Sequence, residues 1–342
     1  IALVNYIRNS AMTNKHISSM GWTVEGLEVA FPSSFGRHWT TNDFLQSVSS
    51  HSDEAIQEIL QKAAHLGFHK RYRVNASTTS VDLMVHALKD VMDKQRVAPK
   101  DIDYLISVTT TSPKYTTATA PMVAARVGLD CPGIEIKSGC ASSLYALHMA
   151  GLLIAGGMKR VAVVLGETLS KTLPSSHPLS FALADGGAAL LLTGNEAGKG
   201  IIQGVLGMDG SQHVNMGFGG TLPPNEEDFR LGNYQMTYNK AADEVVEKAW
   251  LILAEYIKQT DPKCRAEQLI MHEASAIQRS IFAKGMVVSP ERLPSVLSEV
   301  GNCGPVSIFA NLKKHMNSAG GEKFWLASVG GGIYAGAIQI QL

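Results

Sequence analysis

Along this chain, segments whose apolar residues recur every three or four positions take turns with short, unbroken apolar runs. Val81, Met84, Leu88 and Val91 fall on one face of a helix predicted over Thr78–Arg96, with Pro99 ending the connection that follows. Ile102–Thr109 (IDYLISVT) then reads as a strand buried on both faces, because it lacks the alternation of a half-exposed one. Pro121–Leu129 predicts a short helix, Gly133–Ile136 a strand, and the apolar, small-residue stretch beginning at Cys140 or Ala141 and running to Gly157 a long helix. Arg160–Leu165 (RVAVVL) is another buried strand, followed by a glycine-rich turn and strand over Ser180–Thr193 and further sheet character over Ile201–Met208. Helix alternating with buried strand predicts an α/β fold whose sheet is largely parallel and covered on both faces.

The same grammar returns in the second half. Tyr238–Lys258 predicts a long amphipathic helix, Gln268–Met271 a buried strand, Ala276–Gly285 and Ser307–Met316 two more helices, and Phe324–Leu342 a strand, a glycine turn and a strand. Arg160–Thr193 and Lys323–Leu342 both run apolar strand, Gly-rich turn, apolar strand, which marks an internal duplication near residue 195, with one unit over 1–195 and the other over 196–342. Near the start, Gly21–Val29 alternates like a strand, and Asn42–Leu66 predicts one or two amphipathic helices capped near Thr41 or Asn42.

Length and charge narrow the classes of function. At 342 residues the chain supports a large core and about two domains. Its 30 Lys plus Arg balance 30 Asp plus Glu, so no global field attracts nucleic acid or an anionic membrane. The longest apolar run, Ala146–Met158, is too short to span a bilayer and contains His148 and glycines. Four cysteines without CxxC spacing argue against both a disulfide scaffold and a zinc site, and fit a reducing, cytoplasmic setting. Residues 1–11 show no signal-peptide pattern and are left out of the fold expectation. His69–Arg73 (HKRYR) is a basic cluster, read as a solvated face or as a landing site for phosphates or an acidic carrier.

Candidate chemistry begins at Cys140, which follows a strand and a Lys137-Ser138-Gly139 turn and stands at the predicted start of a helix. Unpaired first-turn N–H groups and aligned peptide dipoles favour negative charge there, so a lowered thiol pKa and a nucleophilic role are expected. A lone cysteine is also commonly just a small buried residue. His272 ends the strand in LIMHEAS, at the strand edge where α/β folds collect their chemistry, although a hydrogen-bonded core histidine would look the same. Asn302 (VGNCG) and Gly330-Gly331-Gly332 suit tight turns, and the glycines also let backbone N–H groups approach a reacting oxygen.

Taken together, IDYLISVTTTSP, IEIKSGCASSLYALHMAGLLIAGGMKRVAVVLGETLSKT, LADGGAALLL, IMHEAS, VGNCGPVSI and SVGGGIYAG, in this order, resemble the thiolase superfamily and within it the β-ketoacyl-acyl carrier protein synthase III type of condensing enzyme. The resemblance covers about Gly21–Leu342 and implies a duplicated five-layer αβαβα fold with two mixed sheets, a homodimer and a Cys-His-Asn triad. By motif position Cys140 would be the nucleophile, with His272 and Asn302 as its partners; Gly331 would supply an oxyanion-hole N–H together with Cys140's own, and Asp185 and Gly186 would be structural. The implied reaction loads an acyl group from acyl-coenzyme A or an acyl carrier protein onto Cys140, then condenses it with a malonyl-type thioester through loss of carbon dioxide. No metal or redox cofactor is implied.

Departures from the family pattern bear on the substrate. HEASAI puts Glu273 for Gln, Ser275 for Asn and Ile277 where a carrier-docking Arg is common, with Arg279 nearby but offset. His177 stands where an Arg often packs on the coenzyme A adenine, and near Thr116 an aromatic pocket residue is missing. Thr116, His177, Glu273 and Ser275 are therefore the candidate substrate-binding residues of a specialised member, in fatty-acid-like or secondary, polyketide-type metabolism. The alternatives are acyl transfer to an alcohol, amine or carrier without C–C bond formation, and a subunit of a heterodimeric synthase.

Overall fold

A computed structural model describes residues 13–31, 36–40, 43, 52–174, 177, 179–194, 199–213, 216–218, 225–233, 235–240, 242–316 and 323–342. The first half runs β1 (Thr13–Ile17), β2 (Met20–Ala30), β3 (Gly36–Thr40), α1 (Asp53–His65), β4 (Lys70–Val74), α2 (Ser80–Gln95), β5 (Tyr104–Val108), α3 (Thr119–Val127), β6 (Gly133–Ile136), α4 (Ser142–Ala155), β7 (Arg160–Thr168) and β8 (Asp185–Gly194). The second runs β9 (Gly200–Met208), β10 (Met216–Phe218), α5 (Glu226–Leu231), β11 (Met236–Tyr238), α6 (Ala242–Thr260), β12 (Leu269–Met271), α7 (Ala276–Met286), α8 (Leu297–Val300), α9 (Val306–His315), β13 (Lys323–Gly330) and β14 (Tyr334–Gln341).

Local chemistry sets the helix limits. At α2 a capping box joins Thr79 to Asp82, and the helix ends on Arg96 in the left-handed region at φ 56. The Ser52 hydroxyl caps α1 by accepting from the Ala55 N–H. The expected helix start near Thr41 or Asn42 lies outside the described residues.

Two strand arrays share one order and sense. In the first, β2, β8 and β7 are successively antiparallel, and β5 and β6 continue parallel to β7. In the second, β9, β14 and β13 are antiparallel and β12 adds parallel to β13. Among the described residues the pairs Met20–Ile201 and Gly21–Gly200 join them, through β2 and β9.

The layers follow from which residues each strand buries on which face. Val161, Val163 and Leu165 of β7 face a core they share with Leu144, Leu147 and Ala150 of α4, with Phe309 and Leu312 of α9, and with Leu326 and Ile338 of the other array. The intervening Ala162 and Val164 face Met84, Leu88 and Val91 of α2. On the far side Trp325 and Ala327 pack under Trp250 and Leu253 of α6 and Phe282 of α7. The result is helix, sheet, helix pair, sheet, helix: the five-layer α/β arrangement. Both faces of these strands are buried, which is why they read as unbroken apolar runs.

The HKRYR cluster is split by burial, with His69 and Lys70 exposed and Arg71 turned inside. Its residues pair with β3 as strand β4; Arg71 is fully buried, and Arg73 Nη2 donates to the Ser170 carbonyl at 2.9 Å. Burial, helped by the neighbouring Arg73, pulls the Arg71 guanidinium down to about 10.

Candidate active site

The loop after β6 and the turn after β13 meet at Cys140. From β6 the chain turns through Ser138 and Gly139, whose φ of 55 is open to glycine at little strain. Ser142 closes the turn, its hydroxyl accepting from the Ser138 N–H at 2.6 Å and donating to the Gly139 carbonyl at 2.7 Å. The glycine turn after β13 lies directly against this loop. A Cβ at Gly139 would stand 2.7 Å from the Gly331 nitrogen, and one at Gly330 would stand 2.4 Å from the Cys140 nitrogen. Ser328 Oγ, one turn of chain earlier, donates to the Cys140 carbonyl at 3.0 Å.

The thiol itself corrects an expectation. Helix α4 begins at Ser142, two residues past Cys140, and the thiol is not lowered. Burial pushes the half-buried Cys140 up to about 12, with the Glu167 charge adding to the rise. The opposing contribution of its own N–H is smaller. Desolvation outweighs the helix end.

His272 follows β12 and is fully buried; its N–H donates to the Ala327 carbonyl of β13 at 2.8 Å. Its Nε2 lies 3.3 Å from Asn302 Oδ1, and the same oxygen accepts the Gly304 N–H at 2.9 Å. An N–H can only donate, so the Gly304 contact identifies the Asn302 atom as oxygen and makes His272 Nε2 the protonated nitrogen. Nδ1 is then the bare nitrogen, and it has no hydrogen-bond partner. Burial lowers His272 to about 4, against the smaller effect of Asn302, so the imidazole is neutral at physiological pH. Asn302 is itself fixed to the first array: its N–H donates to the Ala182 carbonyl at 3.1 Å and its carbonyl accepts from the Ala184 N–H at 3.0 Å.

Comparison with known proteins agrees with this architecture. The family model described as 3-Oxoacyl-[acyl-carrier-protein (ACP)] synthase III matches residues 134–210, the stretch that carries Cys140 and Asp185. A β-ketoacyl-[acyl-carrier-protein] synthase III of Streptomyces coelicolor is 29% identical over 325 residues, covering 88% of this chain and 92% of that protein. A crystal structure of a 3-oxoacyl-(acyl-carrier protein) synthase from Burkholderia xenovorans superposes with a TM-score of 0.82 at 21% identity, covering 97% of this chain and 96% of that one. The synthase III of Pseudomonas aeruginosa gives 0.78 at 20% identity, over 94% and 98%. The chain is similar to β-ketoacyl-[acyl-carrier-protein] synthase III proteins over most of its length and shares their fold.

In this synthase III-like frame the remaining candidates fall into separate places. Thr116 lines a cavity of about 850 Å3 with Thr110, Lys137 and Lys171, and Cys140, His272 and Asn302 are not among its lining residues. Glu273, next to His272 in the chain, is buried; the Ser295 hydroxyl donates to one carboxylate oxygen and Arg279 Nε lies 3.3 Å from the other. Ser275 caps α7, its hydroxyl accepting from the Gln278 N–H at 3.4 Å. His177 Nδ1 accepts from the Leu179 N–H at 3.1 Å within its own turn. Asp185 is fully buried and accepts from Ser170 and from the Val74 N–H, tying β4 to the end of β7.

Two residues that sequence reasoning passed over belong to this neighbourhood. Ser328 holds the Cys140 peptide, and its only signal was a lone hydroxyl in the apolar run before a glycine turn. Glu167 ends β7 as a fully buried carboxylate whose charge acts on Cys140, and its signal was a single acid closing RVAVVLGE. Among the described residues no group of three or more His, Cys, Asp or Glu is placed to hold a metal ion, and no helix is long and apolar enough to cross a membrane.

Proposed function

We propose that Cys140 is an acyl-accepting nucleophile of a condensing enzyme, with His272 and Asn302 as the pair that stabilises the second substrate. The observations that support this reading are a cysteine pressed against the Gly330–Gly331 turn that follows β13, and a neutral, Nε2-protonated histidine that is paired with Asn302 and bonded through its N–H to Ala327 of the same strand.

The chemistry follows from these groups. Cys140 sulfur attacks the carbonyl carbon of an acyl thioester, and its proton leaves with the departing thiolate as a free thiol. The N–H groups of Cys140 and Gly331 receive the tetrahedral oxyanion; one such donor contributes about 2.7–4 kcal/mol to the transition state. A malonyl-type thioester then loses carbon dioxide, and the enolate oxygen is received by His272 Nε2–H and the Asn302 amide. A neutral histidine suits this step because it donates without having to lose a charge. The enolate carbon attacks the acyl-enzyme, sulfur leaves, and a β-keto thioester departs.

The acyl donor is coenzyme A or an acyl carrier protein, and the acting unit is a homodimer. The engagement of Glu273 and Ser275 in internal contacts supports a specialised starter rather than a docking arrangement built on those two residues. The division into units 1–195 and 196–342 falls at residues 195–198, outside the described residues.

Incubation with a panel of acyl-coenzyme A and acyl-carrier thioesters, followed by intact-protein mass spectrometry, tests the loading step. A mass increment equal to one acyl group, absent in Cys140→Ala, supports it; no increment from any donor overturns it.

A further inference from the structure

The turn that carries Gly331 ends on a strained residue. Pairing of Gly330 with Tyr334 leaves Gly331, Gly332 and Ile333 as a three-residue loop between β13 and β14. Gly332 stands at φ 73 and Ile333 at φ 46, both in the left-handed region. Glycine takes that conformation at little strain, and three-residue hairpin loops ordinarily place it there. A β-branched side chain in the same region crowds its own backbone and is a genuine outlier. Such a conformation persists only where the surroundings over-determine it.

Ile333 is held at its side chain, at its carbonyl and through its neighbour. The side chain is fully buried, in the core beneath α6 and α7 that also contains Val246, Trp250 and Trp325. The carbonyl accepts the Asp209 N–H at 2.9 Å, just past the end of β9. Asp209 is itself buried, its carboxylate accepting from the Ser211 N–H and hydroxyl. Tyr334, next in the chain, faces the other side of the sheet. Its ring meets that of Tyr145 of α4 edge-on at 5.6 Å, and the Tyr145 hydroxyl donates to the Gly207 carbonyl at 2.9 Å.

The exit of the turn is therefore gripped from both faces of the sheet. Gly330 and Gly331 have no side chains with which to fix themselves, yet they lie against the Cys140 loop with no room to spare. A Cβ at Gly330 would stand 2.4 Å from the Cys140 nitrogen, and one at Gly139 would stand 2.7 Å from the Gly331 nitrogen. The placement of the Gly331 N–H is inherited from the residues that end the turn.

We propose that Ile333 is a positioning residue acting through Gly331: anchored in the core in a left-handed conformation, it sets the glycine turn where the Gly331 N–H receives the oxyanion. The inference rests on reading Cys140 as the nucleophile and Gly331 as its oxyanion donor. A donor fixed before the reaction needs no reorganisation during it, and the strain at Ile333 is what holds this one in place.

Urea unfolding reads the strain. At ordinary positions Ala is more stable than Gly, and at a left-handed one the order reverses. Ile333→Gly is expected to unfold at a midpoint equal to or above that of Ile333→Ala. Both variants should load acyl groups on the order of ten- to a hundredfold more slowly with little change in KM. Ile333→Leu, which keeps a buried side chain of the same volume, should stay near the parent. Amide hydrogen exchange of the peptide carrying Gly331 should quicken in the Gly and Ala variants but not in Ile257→Ala, a truncation elsewhere in the same core. If the small variants do not fold, Ile333→Val decides the matter, with a lesser loss of loading in the same direction. Parent-like loading in the folded Ile333 variants, an equal loss in Ile257→Ala, or a midpoint clearly lower for Gly than for Ala overturns the proposal. Failure of the acyl-transfer reading would show as a parent that loads from no thioester, a result independent of the exchange at Gly331.

Discussion

Gly330 and Cys140 approach each other so closely that one added methyl at position 330 would stand 2.4 Å from the Cys140 nitrogen and 3.0 Å from that of Ala141. Both are backbone atoms, which cannot swing aside as a side chain can. The contact holds the turn after β13 against the loop before α4, and with it the two N–H groups assigned to the oxyanion. Gly330→Ala should force these segments apart, cost about 1–3 kcal/mol of stability and remove most acyl loading. Denaturant unfolding and intact-mass loading of the variant check both effects.

The Ser328 hydroxyl holds the Cys140 carbonyl from below. Ser328→Ala leaves a buried carbonyl without this donor and should cost about 1–2 kcal/mol in stability. It loosens Cys140 at its carbonyl side, and with it the residue whose own N–H, in the preceding peptide, is assigned to the oxyanion, so kcat should fall about tenfold while KM changes little. A rise in KM alone would contradict the assignment.

Asn302 serves twice, as partner of His272 Nε2 and as acceptor for the Gly304 N–H. Asn302→Asp keeps an acceptor for Gly304 but loses the amide donors and introduces a negative charge where the enolate oxygen is to sit. Condensation should drop by about a hundredfold or more while loading of Cys140 persists. Comparing acyl-adduct mass with β-keto product formation separates the two steps.

Stability should depend on pH through two buried groups with opposite senses. Between pH 6.5 and about 4 the unfolded chain takes up a proton at His272 that the folded chain refuses, so stability falls as pH falls through that window. Between pH 4.5 and about 7 the folded chain keeps a proton on Glu167 that the unfolded chain has lost, so stability falls as pH rises. The two oppose each other where the windows overlap. Glu167→Gln removes the second effect, so relative to the parent it should gain on the order of 3 kcal/mol between pH 4.5 and 7. Urea unfolding at pH 4.5, 6 and 7.5 checks the sign.

Much of this architecture was legible in the sequence because the buried strands and the amphipathic helices differ in period. Ile102–Thr109 and Arg160–Leu165 read as strands with no alternation, and both are sandwiched between helix layers. Cys140, His272 and Asn302 were proposed as a set from the order of the motifs that carry them, and each lies next to the end of an element. What failed had non-local causes. HKRYR read as one cluster, but β3 and Ser170, distant in sequence, divide it, with Arg71 buried and Arg73 engaged while His69 and Lys70 stay exposed. The thiol's pKa was read from one helix end, whereas burial and Glu167, contributed by other elements, decide it. Ser275 was singled out because it replaces an Asn of the family segment, and its capping of α7 depends on where that helix starts.

The central claim is that Cys140, His272 and Asn302 make a carbon–carbon bond. Acyl-loaded protein chased with a malonyl thioester labelled at its free carboxylate tests it directly. The account predicts labelled carbon dioxide, loss of the acyl mass from Cys140 and a β-keto thioester in equal amounts. Discharge of the acyl group by an alcohol or amine, with the label retained on malonyl, would contradict it.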